Sequence, residues 1–166
     1  NLDIARNGTN DTLAKLLNLE KISNLFEKDN SSVGLGRVGE LSETMTFSHL
    51  IDNVKKVLNL SNLVVSGDLD TPVKKVGICT GAGGEVDFML QAISKGCDVY
   101  ITGDIKYHNS QVANDLGLCL IDATHYASEA IILPVICDYI NSCARRLNMD
   151  IECIVSNVNG QTLNIV

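Results

Sequence analysis

Two stretches of the chain end an apolar run on small residues and then place an acid and a histidine close together. These are Thr102-Gly-Asp104-Ile-Lys-Tyr-His108 and Ile121-Asp-Ala-Thr-His125-Tyr-Ala-Ser-Glu129. His125 and Glu129 stand one helical turn apart, so on a helix both side chains leave one face and can meet on one cation. An imidazole beside a carboxylate suits a borderline divalent ion such as Zn, Mn, Fe or Ni, and ligand type alone does not choose among them. The same spacing is common on solvated helices that bind nothing, so it gains weight only from its position in the fold. His108 can donate a proton if it faces the same crevice, or it can simply hydrogen-bond backbone at the end of its loop.

The elements that must position these residues are short and apolar. Asp98–Thr102 and Leu118–Ile121 read as buried strands punctuated by Gly96, Gly103 and Gly117, and Ser110 to Leu116 has helical spacing. Strand, loop, helix, strand makes the two strands parallel. In open α/β sheets, loops and helix amino ends converge at the carboxyl ends of parallel strands, and ligands collect there. The expectation is therefore one crevice holding Asp104, His108, His125 and Glu129, largely out of bulk solvent. Val76–Cys79 is a further strand, followed by Gly81-Ala-Gly-Gly84 and a helix with Val86, Met89, Leu90 and Ile93 on its apolar face. Such a turn either offers backbone N–H groups to an anion or is only tight. It is expected to border the same crevice, with Gly83→Val hurting anion binding more than folding. There is no GxxxxGK[ST] and no GxGxxG, which disfavours a P-loop ATPase and a dinucleotide site.

Elsewhere, Leu13, Leu16 and Leu17 mark a short helix that Asn10 or Asp11 can cap, and Asp3 lies in the loop before it. By itself Asp3 reads as a cap or a solvated residue. Ile22–Phe26 reads as a strand and Asn30 to Gly36 as a flexible connection. Arg37 either binds an anionic substrate or ties down its loop by pairing with Glu40 or Glu43. Phe47, Leu50, Ile51, Val54 and Leu58 give a clean helical stripe that leaves His49 solvated. Leu63–Val65 is a strand and Asp68–Pro72 a turn. The run after Ala130 predicts a long helix interrupted or kinked at Pro134; a helix starting there would leave Glu129 in the preceding turn. Ile151–Val155 alternates as a last strand. Together these predict a single layered α/β domain over residues 1–166, its sheet largely parallel or mixed and flanked by helices.

With 166 residues, 45% of them hydrophobic, the chain can bury one sizeable core. A net charge of -7 without a Lys/Arg stripe excludes a nucleic-acid backbone as partner. No apolar run is long enough to span a bilayer, so no membrane role is expected. Six cysteines without a CxxC, most of them in apolar runs, point to a reducing compartment, with the cytoplasm as default.

The paired segments TGDIKYH (102–108) and IDATHYASE (121–129) resemble the signature of the Nif-three-like family of dinuclear-metal proteins, the GTP cyclohydrolase 1 type 2 homologues. Asn1-Leu-Asp3 with Asn7–Asp11, Gly34–Leu41 and Val76–Gly84 are similar to that family's acidic segment, glycine-arginine turn and glycine-rich strand end. The resemblance implies that Asp3, His125 and Glu129 are metal ligands, the two carboxylates bridging paired cations, and that the chain assembles as a ring-shaped homo-oligomer, a hexamer. Two departures are visible. The family's upstream histidine-rich ligand motif has no counterpart among His49, His108 and His125, so the likeness is to the carboxyl-terminal part of a longer family member. Three carried-over ligands then leave the site incomplete, and the chain is expected to hold at most one ion, weakly. Thr124 stands where the family usually has glycine. Two functions remain open: a metal-dependent hydrolase acting on a nucleotide or other phosphorylated small molecule, or a metal-stabilised oligomeric scaffold or interaction module without catalysis.

Overall fold

The computed structural model describes residues 1–27 and 33–163. In chain order the elements are α1 (Thr9–Leu16), β1 (Glu20–Glu27), β2 (Gly34–Thr46), α2 (Phe47–Leu58), β3 (Val64–Ser66), β4 (Pro72–Ile78), α3 (Val86–Ser94), β5 (Val99–Thr102), α4 (Tyr107–Asp115), β6 (Cys119–Asp122), α5 (His125–Ala130) and α6 (Ile132–Arg146). One mixed sheet runs β1-β2-β4-β5-β6-β3. Its centre, β4-β5-β6, is parallel with Ile78, Ile101 and Ile121 in register, whereas β1, β2 and β3 join antiparallel. No helix among the described residues is long and apolar enough to cross a membrane.

Apolar residues on both sides of each central strand place helices on both faces. Val99, Ile101, Cys119 and Ile121 pack with Leu13 of α1 and with Phe47, Leu50 and Val54 of α2. The alternate residues Tyr100, Leu118 and Leu120 pack with Met89 and Ala92 of α3 and Ala113 of α4. This is the two-residue side-chain period of a strand buried twice. Leu50 is fully buried, and Leu50→Ala is expected to destabilise by about 2–5 kcal/mol through lost transfer energy and the cavity left behind.

Several sequence expectations change. Gly34 to Gly39 is not a loose turn but part of a thirteen-residue strand. Its glycines allow close approach: a Cβ at Gly36, where φ is +67°, would lie 2.7 Å from the Ile78 carbonyl oxygen and 2.9 Å from Leu25 Cβ. Part of the expected flexible connection, residues 30–32, lies outside the described residues. Ile151–Val155 forms no strand despite its alternation, since no partner edge reaches it. α4 begins at Tyr107, earlier than Ser110. On α3 Met89 is buried but Leu90 is exposed, because Ala92 takes the sheet-facing position. The helical run is interrupted as Pro134 requires, but one turn earlier than the proline itself: Pro134 has no N–H for the Ala130 carbonyl, so α5 ends at Ala130, Ile131 separates the helices, and Pro134 falls in the first turn of α6. His125 and Glu129 therefore share α5.

Candidate functional site

Asp122, the last residue of β6, organises the two loops that leave the parallel strands. One carboxylate oxygen accepts from Ile105 N and the other from Thr124 N, both at 2.9 Å. These bonds hold Asp104 at φ +56° and Thr124 at φ +58°, ψ 149°. The second conformation is one that almost only glycine adopts without strain, so the threonine is compensated locally. Its Oγ1 accepts from Ala127 N at 3.2 Å, capping α5.

The capped helix presents His125 and Glu129 on one face. His125 Nδ1 lies 2.7 Å from Asp104 Oδ2, and Nε2 lies 3.5 Å from Glu129 Oε2. With Asp104 ionised, the geometry assigns the Nδ1 proton as the donor and leaves Nε2 facing Glu129. The Asp104 hydrogen bond, reinforced by the charges of Glu129, Asp104 and Asp3, holds the His125 pKa above its ordinary value, with burial opposing. The glycine-rich turn closes one wall. Ser128, fully buried, accepts from Gly81 N and donates to the His125 carbonyl, each at 2.9 Å. A Cβ on Gly81 would stand 2.4 Å from Glu129 Oε1. The turn borders the crevice as expected, but Gly83 does not face it: a Cβ there would meet Thr102 Oγ1 and the Tyr100 hydroxyl, both at 2.6 Å.

Asp3 approaches from the other side through Asn10. The fully buried Asn10 amide donates to the Asp3 carbonyl and accepts from Thr80 N, each at 2.9 Å, while Thr9 and Thr80 pair their hydroxyls at 2.7 Å. Asn10 is thus no helix cap; Gly8 holds that position. The tie secures the Asp3 loop to the end of β4, from which its charge reaches both His125 and the Cys79 thiol. Burial, chiefly, pushes Cys79 up to about 12, which excludes it as a thiolate nucleophile.

The arrangement departs from expectation at several points. The site is open: the side chains of His125, Glu129 and Asp104 are 48%, 41% and 51% exposed, because α5 lies on the surface. His108 turns elsewhere. In the first turn of α4 it meets Gln111 Oε1 at 3.1 Å and packs edge-on against Tyr107, and among the described residues no hydrogen bond or ion pair joins it to His125. Lys106, whose place in the TGDIKYH segment makes it a candidate substrate contact, pairs with Glu85 instead. Arg37 ties structure together, but through Asp11 and the Gly34 and Gly36 carbonyls rather than through Glu40, which pairs with Lys21, or Glu43. Among the described residues no three His, Cys, Asp or Glu side chains converge as a metal-holding group. His125 and Glu129 converge, and the Asp3 charge reaches His125 at longer range. A cavity of about 610 Å³ uses the adjacent face of α5, Tyr126, Ala127 and Ala130, and does not include His125.

Fold and site together define a mixed α/β domain with a histidine and carboxylates at the carboxyl end of three parallel strands. The family profile of Duf34/NIF3 (NGG1p interacting factor 3) matches residues 1–161, and the chain belongs to that family. It is 37% identical over 158 residues to a GTP cyclohydrolase 1 type 2 homolog of Clostridium perfringens, covering 94% of this chain and 58% of the relative. The chain thus spans under two thirds of that relative's length. A Bacillus cereus protein related to NIF3 superposes with a TM-score of 0.90 at 20% identity, over 99% of this chain and 71% of the other, a likeness of fold. Reduced HcgD from Methanocaldococcus jannaschii superposes with a TM-score of 0.73 at 35% identity, over 91% and 56% of the two chains.

Proposed function

We propose that His125, Glu129 and Asp3 form part of a divalent-metal site, and that the family-length protein uses it for hydrolysis of a nucleotide or other phosphorylated small molecule. The observation that carries this reading is the Asp104–His125–Glu129 alignment. Histidines that ligate metals characteristically give their other ring nitrogen to a carboxylate, which fixes tautomer and ring plane. Here Asp104 holds Nδ1 and leaves Nε2 directed at a second carboxylate. The donor set of one imidazole nitrogen and carboxylate oxygens fits Zn, Mn, Fe or Ni. A cation bound there would supply a water of lowered pKa and neutralise charge on a phosphoryl group.

The chain's own residues orient and restrict. Asp104 fixes the imidazole, Ser128 fixes α5 against the glycine turn, and Gly81 leaves room for Glu129. Three donors do not fill the shells of two cations, so we assign this chain at most one weakly held ion. The half-exposed side chains and the incomplete donor set also suit a second reading, in which the ion orders loops of a homo-oligomer, such as a hexamer, without turnover. Six free thiols fit a reducing setting, the cytoplasm. Metal-dependent hydrolysis of nucleoside triphosphates and phosphoesters, measured for the family-length protein and its His125→Ala variant, decides between them. Turnover abolished by the substitution supports the hydrolase; metal retention without turnover supports the scaffold.

A further inference from the structure

Beyond the end of α6 the chain runs without regular structure through residue 163. Little apolar burial holds this segment, since Ile154, Val158 and Leu163 are 77%, 80% and 77% exposed. Its anchors are polar and few. Asn141 grips the Cys153 peptide on both sides, its Nδ2 donating to the carbonyl at 2.9 Å and its Oδ1 accepting from the N–H at 2.7 Å. The Cys137 thiol, one turn earlier on α6, donates to the same carbonyl at 2.8 Å. Farther along, Gln161 Nε2 donates to Thr124 Oγ1 at 3.2 Å.

The anchor at Cys153 brings two thiols together. A 2.8 Å contact to the Cys153 carbonyl oxygen leaves the Cys137 sulfur within about 5 Å of the Cys153 Cα, given ordinary backbone dimensions. Rotation about the Cys153 Cα–Cβ bond can carry its own sulfur toward that of Cys137, while Asn141 holds the Cys153 peptide in place. The adjacency of the two side chains is also felt electrostatically: after burial, the neighbouring Cys153 thiol is the next cause holding the Cys137 pKa above its ordinary value. Both residues are half-buried and hence reachable by a small reagent, unlike Cys79, Cys97 and Cys119 in the core.

We propose that Cys137 and Cys153 are a modification site: a low-molecular-weight disulfide of the glutathione type oxidises them to an intrachain disulfide that pins the segment after α6. One thiolate attacks the reagent's sulfur–sulfur bond and releases one thiol. The second thiolate attacks the mixed disulfide and releases the other. The two cysteines lose two protons and two electrons, and the reagent becomes two thiols. The consequence reaches α5, because Ser156–Asn159 and Gln161 form a wall of the 610 Å³ cavity and Gln161 bonds the residue that caps the helix. Oxidation exchanges the Cys137 thiol hydrogen bond for a covalent link beside the two Asn141 bonds.

The test is to equilibrate the full chain with graded ratios of oxidised to reduced glutathione, alkylate, and map peptides without reduction. The expected product joins Cys137 to Cys153, reverts with dithiothreitol, and leaves Cys143 alkylated. Cys153→Ser should convert Cys137 to a glutathione adduct only. Thermolysin cleavage before Val155, Val158 or Leu163 should slow by roughly fivefold or more on oxidation, as expected when local opening is restricted. A Cys137–Cys143 link, a stable glutathione adduct on Cys137 of the unmodified sequence, or no reaction would overturn the pairing. Equal cleavage of oxidised and reduced chains would overturn its effect on the segment.

Discussion

The loops after β5 and β6 begin alike and end differently. Each carries an acid and then a histidine, yet the β6 loop turns its histidine into the crevice and the β5 loop contributes its acid instead. The cause is where each helix starts. α5 starts at His125 itself, capped by Thr124, so its first turn stands over the strand ends. α4 starts only at Tyr107, after Asp104 has turned through a left-handed conformation, and this carries His108 out to Gln111. A repeated motif therefore does not imply a repeated role; position relative to the helix cap decides it.

Several substitutions break or sharpen that contrast. The largest effect is expected beneath the site. Gly83→Val should cost about 3 kcal/mol or more of folding stability, since overpacking adds to displacement of buried Tyr100 and Thr102 hydroxyls. Chemical denaturation would measure it, and a binding loss without a stability loss would restore the anion-turn reading. Asp104→Asn should weaken metal binding about 10- to 100-fold at pH 8, by freeing the imidazole. Its pH dependence follows from the raised His125 pKa. Metal binding needs the neutral ring, so affinity of the unsubstituted chain falls as pH drops through that raised value. Removing Asp104 lowers the pKa and lessens proton competition, so the deficit should narrow toward pH 6. In the metal-free chain the sign is the reverse: the His125–Asp104 contribution to stability is present below the unfolded value of about 6.5 and disappears above the folded one.

Thr124→Gly should raise stability by about 1 kcal/mol, because strain relief of roughly 1–3 kcal/mol exceeds the few tenths lost when glycine replaces a threonine cap. Thermal unfolding reads this directly, and a lower melting temperature would mean that the Gln161 and Ala127 bonds outweigh the strain. The smallest effect is expected at the other loop. His108→Ala should leave metal affinity within about twofold, since its ring spends its polar contact on Gln111.

Much of this was legible in the sequence, for reasons that also explain the failures. The buried runs at Val99–Thr102 and Cys119–Asp122 and the stripe on α2 announce themselves because burial on one or two faces writes a period into the residues. The His125–Glu129 pairing is a local helical fact and was readable for the same reason. Asn10, Ser128 and Asp122 carry no such period. Their roles depend on partners far along the chain, Thr80 for Asn10 and Gly81 for Ser128, or on two loops at once, Ile105 and Thr124 for Asp122. Thr124 held a usable signal, a side chain where the resemblance leads one to expect glycine, and the positive φ is the conformation such a glycine would serve. The glycines of β2 misled because close packing and flexibility use the same residue.

The central claim is that His125, oriented by Asp104 and opposed by Glu129, is a metal ligand in a site this chain only partly supplies. Metal analysis after loading the 166-residue chain with Zn, Mn, Fe or Ni and dialysing at pH 8 tests it most directly, alongside His125→Ala and a family-length protein with the upstream histidines. We expect at most one weakly held ion per chain, lost by at least about 100-fold in affinity with His125→Ala, and two ions in the longer protein. Two tightly held ions in the short chain, or binding indifferent to His125→Ala, would contradict the account and move the ligands elsewhere.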